Sequence, residues 1–414
     1  MDVAALPLPL PLPLPRGAAK VAALIARGAS VPNPWSVDID DDVTIDQIAD
    51  DVTLHPGVRL RGARTVISAG CVLGAEGPAT VENCQLGPDV RLEAGFFSGA
   101  VFLQGAAMGL GAHVRPGTIL EEHASGAHTV GLKQTILFPY ATLGSLINFC
   151  DAMLTGGTGP KDHSEVGSSY IHFNFTPDGD KTTPSLFGDV PRGVLVDQPA
   201  IFLGGQGGAV GPVRTGFGVV VGAGSVLRDD IDEDGVLVLP EAVAGLRRPN
   251  KRHRYRRLNP LLEKNLGYIG SLVALQNWYA QVRSLFFARQ QFGGLVLDGA
   301  QAQLAAGIKE RVKRLQALVA RIEPEDEARA ELVANVEGFL AAAAGSGQVV
   351  APAELVEHLA SRAEAGDDYL TAIKGLTPDL KQQATGWLAG VVAGVVGAAA
   401  AEVPLLGLAV PGQE

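Results

Sequence analysis

Aromatic side chains are scarce in this chain, at 6% of 414 residues, and charged ones reach only 19%. Cysteine occurs three times, as Cys71, Cys84 and Cys150, an odd number without metal-ligand spacing. That speaks against a disulfide framework and reads as buried, reduced thiols of a cytoplasmic protein. The histidines lack metal-ligand spacing too, so no metal is expected. Positive charge is not in excess: the formal net charge is −11, and the molecule as a whole is not an obvious nucleic-acid binder. A secretion signal is also missing. Leu6 to Pro15 alternates Leu with Pro, has no basic start, and its prolines forbid a helix. It reads as a polyproline II arm.

What the chain has in quantity is glycine, 52 residues, within a composition that is 47% hydrophobic. That is enough for a large core and two or three domains. After a short helix at 16–30, ended by Asn33-Pro34-Trp35, a repeat begins. Ile48, Leu54, Leu60, Val66 and Val72 stand six apart, and Leu86 and Leu92 resume the spacing after a slip. Residues six apart on an α-helix fall about 120° short of a full turn, so they share no face. A buried aliphatic every sixth residue with Gly-type corners fits a triangular coil of short parallel strands. The texture returns in Ala200–Gly205, Val210–Val213 and Val219–Leu227. The expected architecture is an arm and short helix (1–35), a parallel β-helix (36–240), a basic linker (241–257) and an α-helical domain (258–414).

The linker carries seven Lys/Arg between Arg247 and Arg257. It reads as a solvated connector or, more sharply, as a strip holding the phosphates of coenzyme A or a nucleotide, with nucleic-acid binding as the remaining alternative. Beyond it, apolar residues at three- and four-residue steps predict a long helix over Leu261–Phe292 and a second over 299–322. A third helix is expected from Glu323, with Pro324 in its first turn, and further ones at 352–364 and 367–385. Gly386 to Val410 is almost uncharged, and is read as a buried or oligomer-facing helix in preference to a membrane span.

Between the two repeat regions lies Arg115 to Asp189. It contains Arg115-Pro116-Gly117, Leu132-Lys133, Gly167 through Asn174, and Asp178-Gly179. These motifs and the flanking repeats, residues 43 to 232, resemble the left-handed β-helix acyltransferases of the hexapeptide-repeat family. They are similar in particular to the acetyltransferase half of the bacterial bifunctional enzymes that make UDP-N-acetylglucosamine. The resemblance implies that Arg115 and Lys133 bind the sugar nucleotide or its phosphates, with Lys181 in the place of a further substrate lysine. It implies an acetyl-coenzyme A site at Ser168, Asn174 and Phe175, with Gly205 and Gly222 lining the groove. It also implies direct acetyl transfer, a homotrimer with sites between neighbouring β-helices, and left-handed coiling. Paired guanidinium donors and a mobile ammonium suit a phosphate.

The chain departs from that pattern where the family carries its general base. The family's His-Leu-x-Tyr segment is here Ser145-Leu146-Ile147-Asn148. Ser145 and Asn148 stand at substrate-binding positions, but a hydroxyl cannot take a proton near neutral pH without a base of its own. His163, in the longer loop that follows, is the candidate replacement base; otherwise it is a surface histidine beside Asp162. No Gly-rich nucleotide loop precedes residue 43, so a nucleotidyltransferase activity has no site in this sequence. Two readings stand. One is an acetyl-coenzyme A-dependent N-acetyltransferase acting on a sugar phosphate or nucleotide sugar. The other is a nucleotide-sugar-binding or scaffold protein that lost its base.

Overall fold

Strands mostly two to four residues long wind from Asp38 to Val238 into a parallel β-helix of the left-handed hexapeptide type, and helices from Leu258 onward pack against one side of it. The computed structural model describes residues 14–240, 245, 247, 249, 253, 255–345 and 347–412. The Leu/Pro arm before residue 14 and much of the basic linker, including Arg248, Lys251, Arg252 and Arg254, lie outside the described residues.

The β-helix is a three-sided prism. On the first side, Leu60, Val81, Phe97, Val114, Leu132 and Phe149 stack in register and point inward. On the second, Ile67, Leu86, Phe102, Leu120, Leu137, Leu154 and Phe187 do the same. The third side stacks Leu54, Leu73, Leu92, Met108, Gly126, Leu143, Val166 and Leu203 within a row of ten strands. We call these the groove face, the covered face and the open face. The inward side chains form one continuous apolar core, each contributing on the order of 1.5–3 kcal/mol when fully buried.

The six-residue count holds from Ile48 to Leu60 and again from Phe102 through Met108, Val114, Leu120 and Gly126 to Leu132. Between Leu60 and Ile67 one extra residue enters the corner. Ile67 and Leu73 therefore point inward where an unbroken count expects Val66 and Val72; Val66 turns outward beneath the helices. Three longer excursions interrupt later coils. They are the hairpin Gly157–Gly159/Asp162–His163, the loop over residues 174–184, and the segment that includes the short helix Val190–Gly193.

The helices are α1 (Ala18–Arg27), α2 (Val190–Gly193), α3 (Leu258–Trp278), α4 (Ser284–Phe287), α5 (Gly293–Val319), α6 (Glu327–Ala334), α7 (Val336–Ala343), α8 (Ala353–Glu364), α9 (Tyr369–Lys374) and α10 (Pro378–Ala401). The single helix expected over Leu261–Phe292 is instead α3, a π-helical turn at Tyr279–Arg283, and α4. The helix expected from Glu323 begins at Glu327, because the Asp326 carboxylate caps it by accepting from the Arg329 N–H. The stretch 367–385 is split at Gly375–Thr377, where Thr377 caps α10 and Pro378 takes its first turn. α10 then runs through most of the uncharged segment.

By length and composition α10 could cross a membrane. In this fold it lies against α3, closely enough that a Cβ on Gly270 would stand 3.1 Å from the Val392 Cα. The covered face earns its name because its outward residues Val101, Ile119, Ile136, Met153 and Leu186 are buried in one cluster with α3, α5 and α10. That row makes the helical region a second layer on the β-helix.

Candidate ligand groove

Coil stacking brings Arg115, Lys133 and Cys150 into one ladder. Val114 pairs with Leu132 and Lys133 with Cys150, so the three side chains leave the groove face one above the other. At the other edge of the same face, Gly131 pairs with Asn148 and Asn148 with Ile171. The Cys150 thiol joins the two ladders. It donates to the Asn148 Oδ1 at 3.1 Å and accepts from the Arg115 Nη2 at 3.6 Å. Burial pushes this thiol up to about 11, against the opposing pull of Arg115 and Lys133, so it stays protonated at neutral pH.

Arg115 is not consumed by that contact. Its Nε is buried without a partner, and no ion pair forms at Arg115 or Lys133 among the described residues. A half-buried guanidinium beside a half-buried ammonium, both without counter-charges among the described residues, is suited chemically to an anion with several oxygens.

The loop after His172 brings further residues to the corner between the groove and covered faces. Asn174 donates through Nδ2 to the Asp151 Oδ2 at 3.1 Å, Phe175 is exposed, and Lys181 follows the buried Asp180. The Lys181 N–H donates to the Thr176 Oγ1 at 3.0 Å, closing the loop on itself. His172 points into the prism, bonded between the Cys150 carbonyl (2.6 Å) and the Ser185 hydroxyl (2.7 Å). Burial lowers its pKa to about 4 and keeps it neutral.

A second strip runs along the corner between the open and groove faces. Ser145, Ser168, Gly205 and Gly222 occupy it in successive coils, and the Ser145 N–H donates to the Ser168 Oγ at 3.1 Å. A Cβ on Gly167 would collide with the Gly205 backbone, so small residues are required there to stack the coils. The result is a corner of bare backbone and hydroxyls beside Asn148.

The structure does not bring His163 to these residues. It sits in the hairpin on the corner between the covered and open faces, with its Nδ1 3.0 Å from the Pro160 carbonyl. Within one chain that corner does not border the groove face. Cys150 and Asp151 have a place in the groove that motif reading passed over. Their signal was the coil length: Cys150 follows Lys133 at nearly the interval that separates Lys133 from Arg115.

No protein-family model matches the chain. Among curated proteins it is similar to the bifunctional protein GlmU of Kineococcus radiotolerans, 30% identical over 204 residues, which are 49% of this chain and 37% of that protein. The same-named protein of Mycolicibacterium smegmatis is 29% identical over 218 residues (53% and 40%), and that of Geotalea uraniireducens 28% over 217 (52% and 42%). The chain thus matches about two-fifths of the length of these relatives.

Proposed function

We propose, from a hexapeptide-repeat β-helix and its likeness to GlmU proteins, that the chain acts in UDP-N-acetylglucosamine metabolism as an acetyl-coenzyme A-dependent acyltransferase on a sugar phosphate or nucleotide sugar. The observation that carries this reading is the pair Arg115 and Lys133, two cations on successive coils of the groove face that, among the described residues, have no counter-charge and no helix over them. They would hold the phosphate, and Asn148 the sugar. The amine of the acceptor would attack the thioester carbonyl, the C–S bond would break, and coenzyme A would leave as the thiol with the proton given up by the amine. The bare strip at Ser168, Gly205 and Gly222, with Asn174 and Phe175 across the groove face, suits the extended arm of the coenzyme. In the homotrimer that the resemblance implies, His163 would act as base only from a neighbouring copy. The cytoplasm is the expected location.

One observation favours a second reading, a nucleotide-sugar-binding protein without catalysis: Ser145 stands where the family pattern has a histidine. Calorimetric titration with acetyl-coenzyme A and with UDP-N-acetylglucosamine, on wild type and Lys133→Ala, separates the two. The acyltransferase reading expects both ligands to bind, Lys133→Ala to weaken the nucleotide sugar about 10- to 100-fold, and coenzyme A to be released in the presence of glucosamine 1-phosphate. Binding of the nucleotide sugar alone supports the second reading, and binding of neither ligand overturns both.

A further inference from the structure

Four contacts from the C-terminal half converge on the loop that carries Asn174 and Lys181. The Arg311 Nη2 donates to the Asp151 Oδ1 at 2.9 Å, and Asp151 in turn accepts from Asn174. The Tyr255 hydroxyl donates to the Asp180 Oδ2 at 3.0 Å, the Asn265 Nδ2 to the Thr182 carbonyl at 3.3 Å, and the His253 N–H to the Asp178 Oδ2 at 3.2 Å. α5 reaches this corner by running along the coils: its Gln303 accepts from the Gly117 N–H at 2.8 Å, and Arg311, eight residues on, meets Asp151 two coils later.

The Arg311–Asp151 pair is an expensive way to join two layers. Both side chains are almost fully buried, with 3% and 7% exposure, and the Arg311 Nη1 is buried without any partner. A well-packed apolar pair at such a place is commonly as stable or more so, so stability alone gives little reason for the charges. What the charges provide that an apolar pair could not is direction. The carboxylate is held by one oxygen, and its other oxygen is presented to Asn174.

We propose that Arg311 is a positioning residue of the groove: through Asp151 it sets Asn174 and with it the 174–183 loop, so that the ligand-bearing corner of the β-helix is fixed by the helical layer. The assignment of a ligand to that corner rests on the function proposed above; the positioning of the loop does not. Occupancy of the groove and the order of α5 are then coupled, because whatever loosens one loosens the other.

The test is amide hydrogen exchange of residues 174–183 in the full chain without ligand, read as a ratio to the covered-face strand Thr118–Leu120 so that a global loss of stability cancels. Arg311→Met leaves a lone buried carboxylate; the double variant Asp151→Asn/Arg311→Met removes that charge while keeping an acceptor next to Asn174. Arg314→Met, on the same helix and paired among the described residues with Glu310, is the control. We expect the ratio to rise at least tenfold in Arg311→Met and to stay raised in the double variant, with no change in the control. A ratio at the wild-type value in the double variant makes the pair a packing device only and overturns the inference. Titration of the same proteins with acetyl-coenzyme A adds the ligand: absence of wild-type binding counts against the proposed function, while the exchange ratio still decides the role of Arg311.

Discussion

In the proposed acyltransferase reading, Ser145 is the residue on which catalysis would turn. It stands at the corner beside Asn148, where the family pattern has a histidine, and its hydroxyl has no base behind it among the contacts described. Ser145→His is therefore expected to raise acetyl transfer by about 10²–10⁴-fold, with a rate that climbs through the imidazole range near pH 6.5. Coenzyme A release measured across pH 5.5 to 8 checks it; an unchanged rate with intact ligand binding would mean that the proton leaves by another route. His172 makes a different prediction. Its folded pKa, about 4, lies below the unfolded value of 6.5. Its contribution is complete above pH 6.5 and is lost as pH falls towards 4, on the order of 3 kcal/mol in all. His172→Gln cannot titrate, so urea midpoints at pH 7.5 and 4.5 should differ less for it than for wild type.

At the scale of elements, the parallel β-helix was legible because its period is short and its inward residues are aliphatic, and the slip at Val66/Ile67 was not, because both neighbours are β-branched and either could face in. Among the helices, 352–364 was legible almost to its bounds, as Ala353–Glu364, whereas the divisions of 261–292 and of 367–410 were not. The π-helical turn at Tyr279–Arg283 left no periodic mark, yet it carries a buried polar cluster between the layers. The Tyr279 hydroxyl donates to Glu121 at 2.7 Å, and Arg283 pairs with Glu121 and Glu122 at 2.7 Å each. Burial, opposed by Arg283, pushes the Glu121 carboxyl up to about 7. Removing a cation paired with two buried carboxylates should be severe: Arg283→Met is expected to cost about 3–5 kcal/mol in urea unfolding. The exposed pair Arg257–Asp229, 3.5 Å apart, should cost no more than about 0.5 kcal/mol when Arg257 is neutralised. Equal losses for both would mean that the cluster is not the joint between the layers.

For the whole molecule, the covered face decides how copies can meet. No sequence pattern announced it, because its outward residues Val101, Ile119 and Ile136 simply made the strands look uniformly apolar, and their partners on α3 and α5 lie well over a hundred residues away. With that side occupied by the chain's own helices, the copies of a trimer such as the resemblance implies would have to use what is left. Large apolar side chains stay exposed along the groove and open faces and the corner between them: Phe96, Leu110, Leu146, Ile171, Phe202 and Val220. A trimer axis beside that corner would cover them and leave the helical layers outside. Sedimentation equilibrium of the full chain is expected to give a trimer, and Leu146→Arg, at an exposed corner position, to give a folded monomer with an unchanged circular dichroism spectrum. The same geometry predicts that residues 14–257 alone, stripped of the helical layer, expose the covered face's apolar row and aggregate. If they remain soluble and trimeric while Leu146→Arg has no effect, the copies meet through the covered face and the helices of the full chain cannot pack as described.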